Sequence, residues 1–498
     1  MMKVATAAEM KQIDRLAQEE FLIPGAVLME RAALALRRII QERFGLAGQK
    51  IYIFCGKGNN GGDGLALARL LTESAAEVRV VLAFEPSQFS GLASQNLSAA
   101  VKFGLPIIDW QEISAAELQQ ADLIVDALLG TGATGAPQGA LATIIDMINK
   151  AKKPVVAVDI PSGVNADNGH VGATAIKATV TVTFGLPKPG LLVHPGAEAC
   201  GELIIDPIGF PPSLLASDNL KINWLTAPEV AESLPARIPT AHKGSCGHVL
   251  IIGGSIGMTG AVALSTIGAL RAGAGLVTAG IQNSDVFPEK PAEVMVLSWD
   301  RILALLDKAA AVVFGPGAST VECSRDLFRE LLAKCKAPLV IDADGLNLLA
   351  LEPVNLGEFS FPTILTPHPG EMSRISGLPV AEIQENRIEI ARRFAKEWGV
   401  TLILKGARSI IADHEDHVFI NPTGNPGMAT AGMGDALAGI IGGLLAQGMR
   451  PTEAAACGTY LHGLAGDLAK ERYGPMGIVT TDLLSEYPAA VKKVLNNE

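Results

Sequence analysis

The sequence predicts an α/β protein of two domains, each built around a mostly parallel sheet. Three observations carry this expectation. Short β-rich runs alternate with helical patterns along the whole chain. The runs are almost continuously apolar, as strands buried on both faces require. At 498 residues the chain is too long for one ordinary core, and an aperiodic stretch at 206–219, DPIGFPPSLLASDN, interrupts the pattern with Pro207, Pro211 and Pro212.

Five strands are expected before the break: IYIFC (51–55), VRVVLAF (78–84), LIVDAL (123–128), PVVAVDI (154–160) and ATVTVTF (178–184). Five follow it: HVLIIGG (248–254), LVTAGI (276–281), AAVVFGPG (310–317), PLVIDADG (338–345) and VTLILKG (400–406). The halves share no internal repeat, so two different domains are expected, 1–215 and 220–498, with 206–219 as the linker.

Hydrophobic residues at 49% against 18% charged exclude a disordered chain. A net charge of −11 argues against a general polyanion binder, and only 5% aromatics leave little for nucleic-acid stacking. The 53 glycines have no collagen-like period and point to tight turns around ligands. Six scattered cysteines, with no metal spacing, read as reduced thiols. The charged N-terminal stretch lacks a signal-like apolar core, and no apolar run approaches the ~20 residues of a membrane span. A cytoplasmic protein without nucleic-acid or membrane partners is expected.

In the first half, CGKGNNGGDG (55–64) lies between a strand and a helix expected at 65–73. Gly56 to Gly61 satisfies G-x-G-x-x-G, and so does Gly130 to Gly135, which shows how permissive the pattern is. Both turns let backbone N–H groups face an anion at the C-terminal ends of strands. Asp63 argues against an ordinary dinucleotide site, because a carboxylate beside a pyrophosphate repels it. Asn60, Asp126, Asp159 and Ser162 add oxygen-bearing groups to the same crevice, a set suited to a hard cation. Helix capping would account for one such aspartate, and less well for the group.

GNNGGDG, VDALLGTG, VDIPSG and FGLPKPG, in that order, resemble the N-terminal domain of the NAD(P)H-hydrate epimerases over residues 8–215. The resemblance implies a Rossmann-like fold. It implies that Asn59, Asn60, Gly61, Gly62 and Asp63 hold the hydrated dinucleotide. Gly130, Thr131, Gly132, Ala133, Thr134, Gly135 and Ala136 would join them, with Asp159. It also implies potassium bound by Asn60, Asp126 and Ser162. Spacing does not settle the acid–base group; Asp159 is the first candidate and Lys188 the second.

In the second half, TAGMGDALAGIIGGLL (430–445) places Asp435 where a glycine turn enters an apolar helix, whose amides and dipole suit an anion. No P-loop pattern occurs. KGARS (405–409) ends a strand with Lys405 and Arg408, which offer a phosphate contact, and TPHPGEM (366–372) offers His368 and Glu371. Asp435 as a helix cap and Lys405 as a solvated strand end is the plainer alternative.

With KGSCGHVLIIGGSIGMTGAVAL (243–264) and FGPG (314–317), these motifs resemble the ADP-dependent NAD(P)H-hydrate dehydratases over residues 222–495. The implied fold is ribokinase-like, a doubly wound α/β domain. Ala261, Gly317, His368 and Asp435 would contact the hydrated dinucleotide, and Lys405, Gly406, Ala407, Arg408, Ser409 and Gly434 would contact ADP. Magnesium is the implied second cofactor. The magnesium-linked N-x-x-E of related sugar kinases stands here as His368-Pro369-Gly370-Glu371, which leaves the part of that loop open.

Together the two resemblances imply repair of hydrated NADH and NADPH. The first domain would interconvert the R and S forms. The second would dehydrate the S form at the expense of ADP, giving AMP and phosphate, with Asp435 as general base. A homo-oligomer is expected. Two competing readings stand beside this one: a dehydrogenase with Glu85 as the ribose-binding acid, and a vitamin or sugar kinase with a ligand-sensing first domain.

Overall fold

The computed structural model describes residues 2–74, 76–133, 135–287, 290–352 and 354–496. Contacts divide the chain into two units, residues 3–221 and residues 222–498, with Met2 assigned to the second.

The first unit holds a seven-stranded sheet: β1 Lys50–Cys55, β2 Glu77–Leu82, β3 Ile107–Asp109, β4 Leu123–Ala127, β5 Val155–Val158, β6 Val180–Phe184 and β7 Glu202–Asp206. Their order is β3-β2-β1-β4-β5-β6-β7, and every neighbouring pair is parallel. The chain reverses its direction of travel across the sheet between β1 and β4, so the crevice that collects ligands in open sheets opens beyond Cys55 and Ala127. Central strands such as β4 and β5 are buried at every position, which is why they read as continuous apolar runs. The edge strands β3 and β7 are partly exposed and mixed in polarity, and the apolar pattern does not reveal them.

The helix after β1 spans Asn59–Leu71, six residues earlier than the expected start at 65. Glycine disfavours a helix interior by ~1 kcal/mol, so the GNNGGDG run reads as a turn. Close packing reverses that preference. A Cβ at Gly61 would meet the Gly56 carbonyl at 1.7 Å, and one at Gly64 would meet the Ala127 side chain at 2.6 Å.

The stretch 206–219 is not a linker. Ile208, Phe210 and Leu220 are buried in the core of the first unit with Phe184 and Leu186. Three prolines erase any period, and the anchoring residues are too sparse to register as a pattern. The first unit therefore runs to Lys221 rather than ending at 215, and the second begins at Ile222 rather than 220.

Ten strands of the second unit share one sheet: β8 Ile222–Trp224, β9 His248–Ile252, β10 Leu276–Ile281, β11 Met295–Ser298, β12 Ala311–Phe314, β13 Leu339–Ile341, β14 Thr363–Leu365, β15 Thr401–Leu404, β16 Ile410–Ala412 and β17 Val418–Ile420. Their order is β8-β17-β16-β15-β14-β13-β12-β9-β10-β11. The run from β15 to β11 is parallel, while β16 pairs antiparallel with both β15 and β17. Five of these strands, β8, β11, β14, β16 and β17, are only three or four residues long and lie outside the sequence expectation.

The Met433–Ala446 helix is the centre of this unit's core. All of its residues but Gly434 and Asp435 are buried, with the Thr259–Arg271 helix packed against it. Small residues set that approach: a Cβ at Gly439 would lie 1.9 Å from the Ser265 carbonyl oxygen. No helix among the described residues is long and apolar enough to cross a membrane.

Phe210→Ala should destabilise the first unit by about 3–5 kcal/mol in urea unfolding. Stability equal to the parent chain would return residues 206–219 to the status of a linker.

Candidate active sites

In the first unit, β4 delivers Asp126 to the crevice in register with Phe54 of β1. The carboxylate is fully buried. Its Oδ1 accepts from Ser162 Oγ at 2.6 Å and from the Leu128 amide at 3.2 Å, and its Oδ2 accepts from the Ser162 amide at 2.8 Å. Burial pushes the Asp126 carboxyl up to about 6, against the stabilising pull of the Ser162 bonds. Ser162 Oγ accepts in turn from the Leu129 amide at 2.9 Å, and Asn60 Nδ2 donates to the Leu129 carbonyl at 2.9 Å. Asn60, Asp126 and Ser162, far apart in sequence, thus converge on the residue that follows Leu128. Their oxygens, with the Leu129 carbonyl, make a hard-donor set that fits an alkali cation.

Asp159 follows β5 with φ +64°, a left-handed conformation that costs a non-glycine residue energy and often marks a functional position. Its Oδ1 accepts from Lys188 Nζ at 2.5 Å, Thr183 Oγ1 at 3.0 Å and the Phe184 amide at 3.1 Å. Lys188, 1% exposed, also donates to Thr183 Oγ1 and the Phe184 carbonyl. The structure therefore joins the two acid–base candidates into one ion pair.

Asp63 sits in the second turn of the Asn59–Leu71 helix, and burial holds its carboxyl well above the usual range. The charges of Asp159 and Asp14 add to this, and Lys188 opposes it. Both causes disfavour charge on Asp63 and so weaken the repulsion that its sequence position suggests. The loop after β4 carries Gly130 beside Asn60, then Thr131, Gly132, Ala133, Gly135 and Ala136 on a half-buried to exposed turn. Thr134 lies outside the described residues.

In the second unit the polar groups again stand at strand ends. Asp342, directly after β13, is 1% exposed. Its Oδ1 accepts from Lys405 Nζ and from Thr366 Oγ1, both at 2.7 Å, and its Oδ2 has no partner among the described residues. Glu371 Oε2 lies 3.7 Å from the same ammonium. Burial works against the charge on Lys405, but Asp342 and Glu371 outweigh it and hold the ammonium above its usual range.

Asp435 is the third residue of its helix, whose cap is Gly432 at φ +89°, so capping does not explain the aspartate. Burial, then the charge of Asp342, push its carboxyl up to about 7, with Lys405 opposing. Gly434 lets the ammonium approach this helix end, since a Cβ there would lie 3.2 Å from Lys405 Nζ.

His368 caps its own helix, Pro369–Ser376. Its Nδ1 accepts from the amides of Gly370 at 2.9 Å and Glu371 at 3.2 Å, while Glu371 Oε2 accepts from the His368 amide at 2.8 Å. This fixes Nδ1 as the unprotonated nitrogen and leaves Nε2–H on a half-exposed ring, 3.4 Å from Glu371 Oε1. Burial and the charges of Lys405 and Arg374 lower its pKa. Ala261 and Gly317 are neighbours: a Cβ at Gly317 would lie 3.3 Å from that of Ala261.

Within 405–409, Arg408 departs from the expected phosphate contact. Its guanidinium lies over the Trp224 ring, 5.2 Å from the centroid, and donates to the Pro422 carbonyl. Ser409 Oγ donates to the Gly406 carbonyl at 3.1 Å. Sequence reasoning missed Asp342, although a polar residue closing an apolar strand is the signal that revealed Asp126. It also missed Arg387, which carries no motif.

A family model described as NAD(P)H-hydrate dehydratase matches residues 249–489, and one described as the YjeF-related protein N-terminus matches residues 25–190. A bifunctional NAD(P)H-hydrate repair enzyme of Moorella thermoacetica is 46% identical, across 99% of this chain and 97% of its own length. The chain belongs to this family. The Escherichia coli repair enzyme is 39% identical, over 90% of this chain and 85% of its own. Among solved structures, an ADP/ATP-dependent NAD(P)H-hydrate dehydratase from Bacillus subtilis, co-crystallised with ATP and Mg2+, is 30% identical with a TM-score of 0.50; the match covers 55% of this chain and 99% of that one. A ribokinase-like protein from Enterococcus faecalis is 29% identical with a TM-score of 0.51, over 55% of this chain and 96% of that one. The second unit accordingly has the ribokinase-like fold, and the family confirms the expected fold class.

Ser162→Ala removes both a donor to a buried carboxylate and the acceptor for the Leu129 amide. It should destabilise the first unit by about 2 kcal/mol in urea unfolding. An unchanged midpoint would mean that Asp126 does not depend on Ser162.

Proposed function

We propose that Asp435 is the general base of the dehydratase half of a bifunctional NAD(P)H-hydrate repair enzyme, and that the Asp126–Ser162–Asn60 cluster serves the epimerase half. Family membership carries the two activities: epimerisation of hydrated NADH or NADPH, and its ADP-dependent dehydration. The single observation behind the base assignment is an aspartate at a helix N-terminus, near the Lys405 ammonium, whose carboxyl is pushed up to about 7 by burial and by Asp342.

Hydration leaves a hydroxyl on C6 of the reduced ring, a poor leaving group. Asp435 takes the hydroxyl proton as the oxygen attacks the terminal phosphoryl group of ADP. The bond to the bridging oxygen breaks and AMP leaves. The C6–O bond then breaks, phosphate departs with the electron pair, and loss of the C5 proton restores the ring double bond. Lys405 and the amides around Gly434 offset charge on the phosphoryl group as it transfers. His368 Nε2–H offers one donor to the dinucleotide, with Ala261 and Gly317 shaping its seat. Magnesium would supply charge neutralisation on the phosphates, and the unpartnered Asp342 Oδ2 with Glu371 gives the hard oxygen donors it prefers.

In the first unit, residues 59–63 and 130–136 bind the hydrated dinucleotide. Asp159 moves the proton at the ring, with Lys188 fixing the orientation of its carboxylate. Potassium fits Asn60, Asp126 and Ser162. The fusion has a chemical reason: a chiral kinase-like site accepts one C6 epimer, and the epimerase returns the other to use.

Asp435→Asn keeps the side chain's size but cannot accept the proton. Dehydration should fall by ~10²- to 10⁴-fold while ADP binding and epimerisation persist. Near-normal dehydration would remove the general-base assignment.

The base works ionised, so the dehydration rate should rise with pH through about 7 and level off above it. Asp342→Asn removes a charge that raises this pKa and should move the rising limb to lower pH. A limb that stays in place contradicts the coupling.

Asp126→Ala should slow epimerisation and abolish any preference for potassium over sodium, with dehydration of the S form unchanged. Epimerisation indifferent to both the cation and the substitution would refute the potassium site.

A further inference from the structure

The geometry points to Arg387 as a positioning residue that folds residues 404–408 into the anion-binding loop for the diphosphate of ADP, an inference that rests on the dehydratase reading above. Arg387 opens the Arg387–Trp398 helix and is 7% exposed. Its partners are backbone carbonyls. The guanidinium donates to Ala407 O at 2.5 Å, Leu404 O at 3.1 Å and Lys405 O at 3.3 Å, and its Nε has no partner among the described residues. Burial pushes its pKa down to about 10, so the cation is held at a cost. An apolar side chain would fill such a place at least as well if packing were the only demand.

The orientation of the loop supplies the reason. In a trans peptide the carbonyl of one residue and the amide N–H of the next point in opposite directions. Gathering the carbonyls of Leu404, Lys405 and Ala407 onto Arg387 therefore turns the N–H groups of Lys405, Gly406 and Arg408 the other way. The Lys405 amide donates to Pro367 O at 2.9 Å, and no backbone acceptor takes the other two among the described residues. Two amides are thereby presented on the loop that also carries the Lys405 ammonium, a set of donors of the kind that binds phosphate.

Gly406 completes the arrangement. Its φ of +141° excludes ordinary side chains, and a Cβ there would lie 3.0 Å from Arg387 Nη2. With Arg408 committed to Trp224 and Pro422, Arg387 supplies the loop's second positive charge from behind, without touching the ligand.

The test uses the full chain with Arg387→Met and Arg387→Lys, and measures ADP affinity by calorimetry beside the KM for the S-form hydrate and the epimerase rate. Arg387→Met should weaken ADP by roughly 10- to 100-fold, as misplaced binding groups do. The hydrate KM and the epimerase rate should stay within twofold. Arg387→Lys, whose single ammonium cannot span three carbonyls, should fall between, and it decides the matter alone if the methionine chain does not fold. A folded variant of either kind with parental ADP affinity overturns the proposal, and so does a parallel loss of ADP and hydrate affinity. Failure of the unsubstituted chain to bind ADP would instead overturn the dehydratase reading.

Discussion

The second unit's site is organised by one buried ammonium. Lys405 stands among Asp342, Glu371 and Asp435, and the three carboxylates share its charge unequally. Asp342 takes the direct bond, so the full Coulomb attraction of Lys405 is not available to Asp435. That imbalance is what lets burial raise the Asp435 carboxyl to about 7, near the pH at which a base is both ionised and strong enough to accept a proton. A second cation bonded to Asp435 would depress its pKa and weaken it for the proposed role of base. The observed ratio of charges thus matters more than any single contact, and Arg408 turned onto Trp224 keeps that ratio intact.

The first unit solves a related problem with fewer charges. Asp126 and Asp342 occupy similar positions in different folds: each stands at the C-terminal end of a fully buried parallel strand, Asp126 one residue inside it and Asp342 just after it. Asp126 meets hydroxyl and amide donors instead of an ammonium, which leaves its local charge negative and suited to a monovalent cation. Asp159 has the lysine in this unit, and Lys188 fixes one of its oxygens in place. In each unit a lysine, fully buried at Lys188 and largely buried at Lys405, orders an acid that the proposed chemistry uses.

Much of this was legible in the sequence, because parallel strands buried on both faces leave continuous apolar runs and glycine turns mark their ends. β1, β4, β9 and β10 fall within a residue or two of their expected bounds. What escaped has a common cause: short or partly exposed strands such as β3, β7 and β16 carry too few apolar positions for any period. The glycine-rich start of the Asn59–Leu71 helix was hidden because helix propensity opposes it and tertiary closeness imposes it. The 206–219 stretch misled in the opposite sense, since prolines conceal the anchoring of Ile208 and Phe210. Among the candidate site residues, motifs pointed to Asp63, Asp126, Asp435 and Lys405. Arg387 had no local signature, as its role lies in carbonyls supplied from a loop about twenty residues away.

One chain is expected to return both epimers of a hydrated dinucleotide to the reduced coenzyme. The direct measurement supplies an equilibrated mixture of R and S hydrates of NADH, with ADP, to the full chain, and follows the dihydronicotinamide absorbance together with AMP. The account predicts recovery of both epimers to completion, with one AMP and one phosphate formed for each coenzyme restored. Absorbance that does not return with either ADP or ATP, or recovery that stops when the S form is spent, would contradict it.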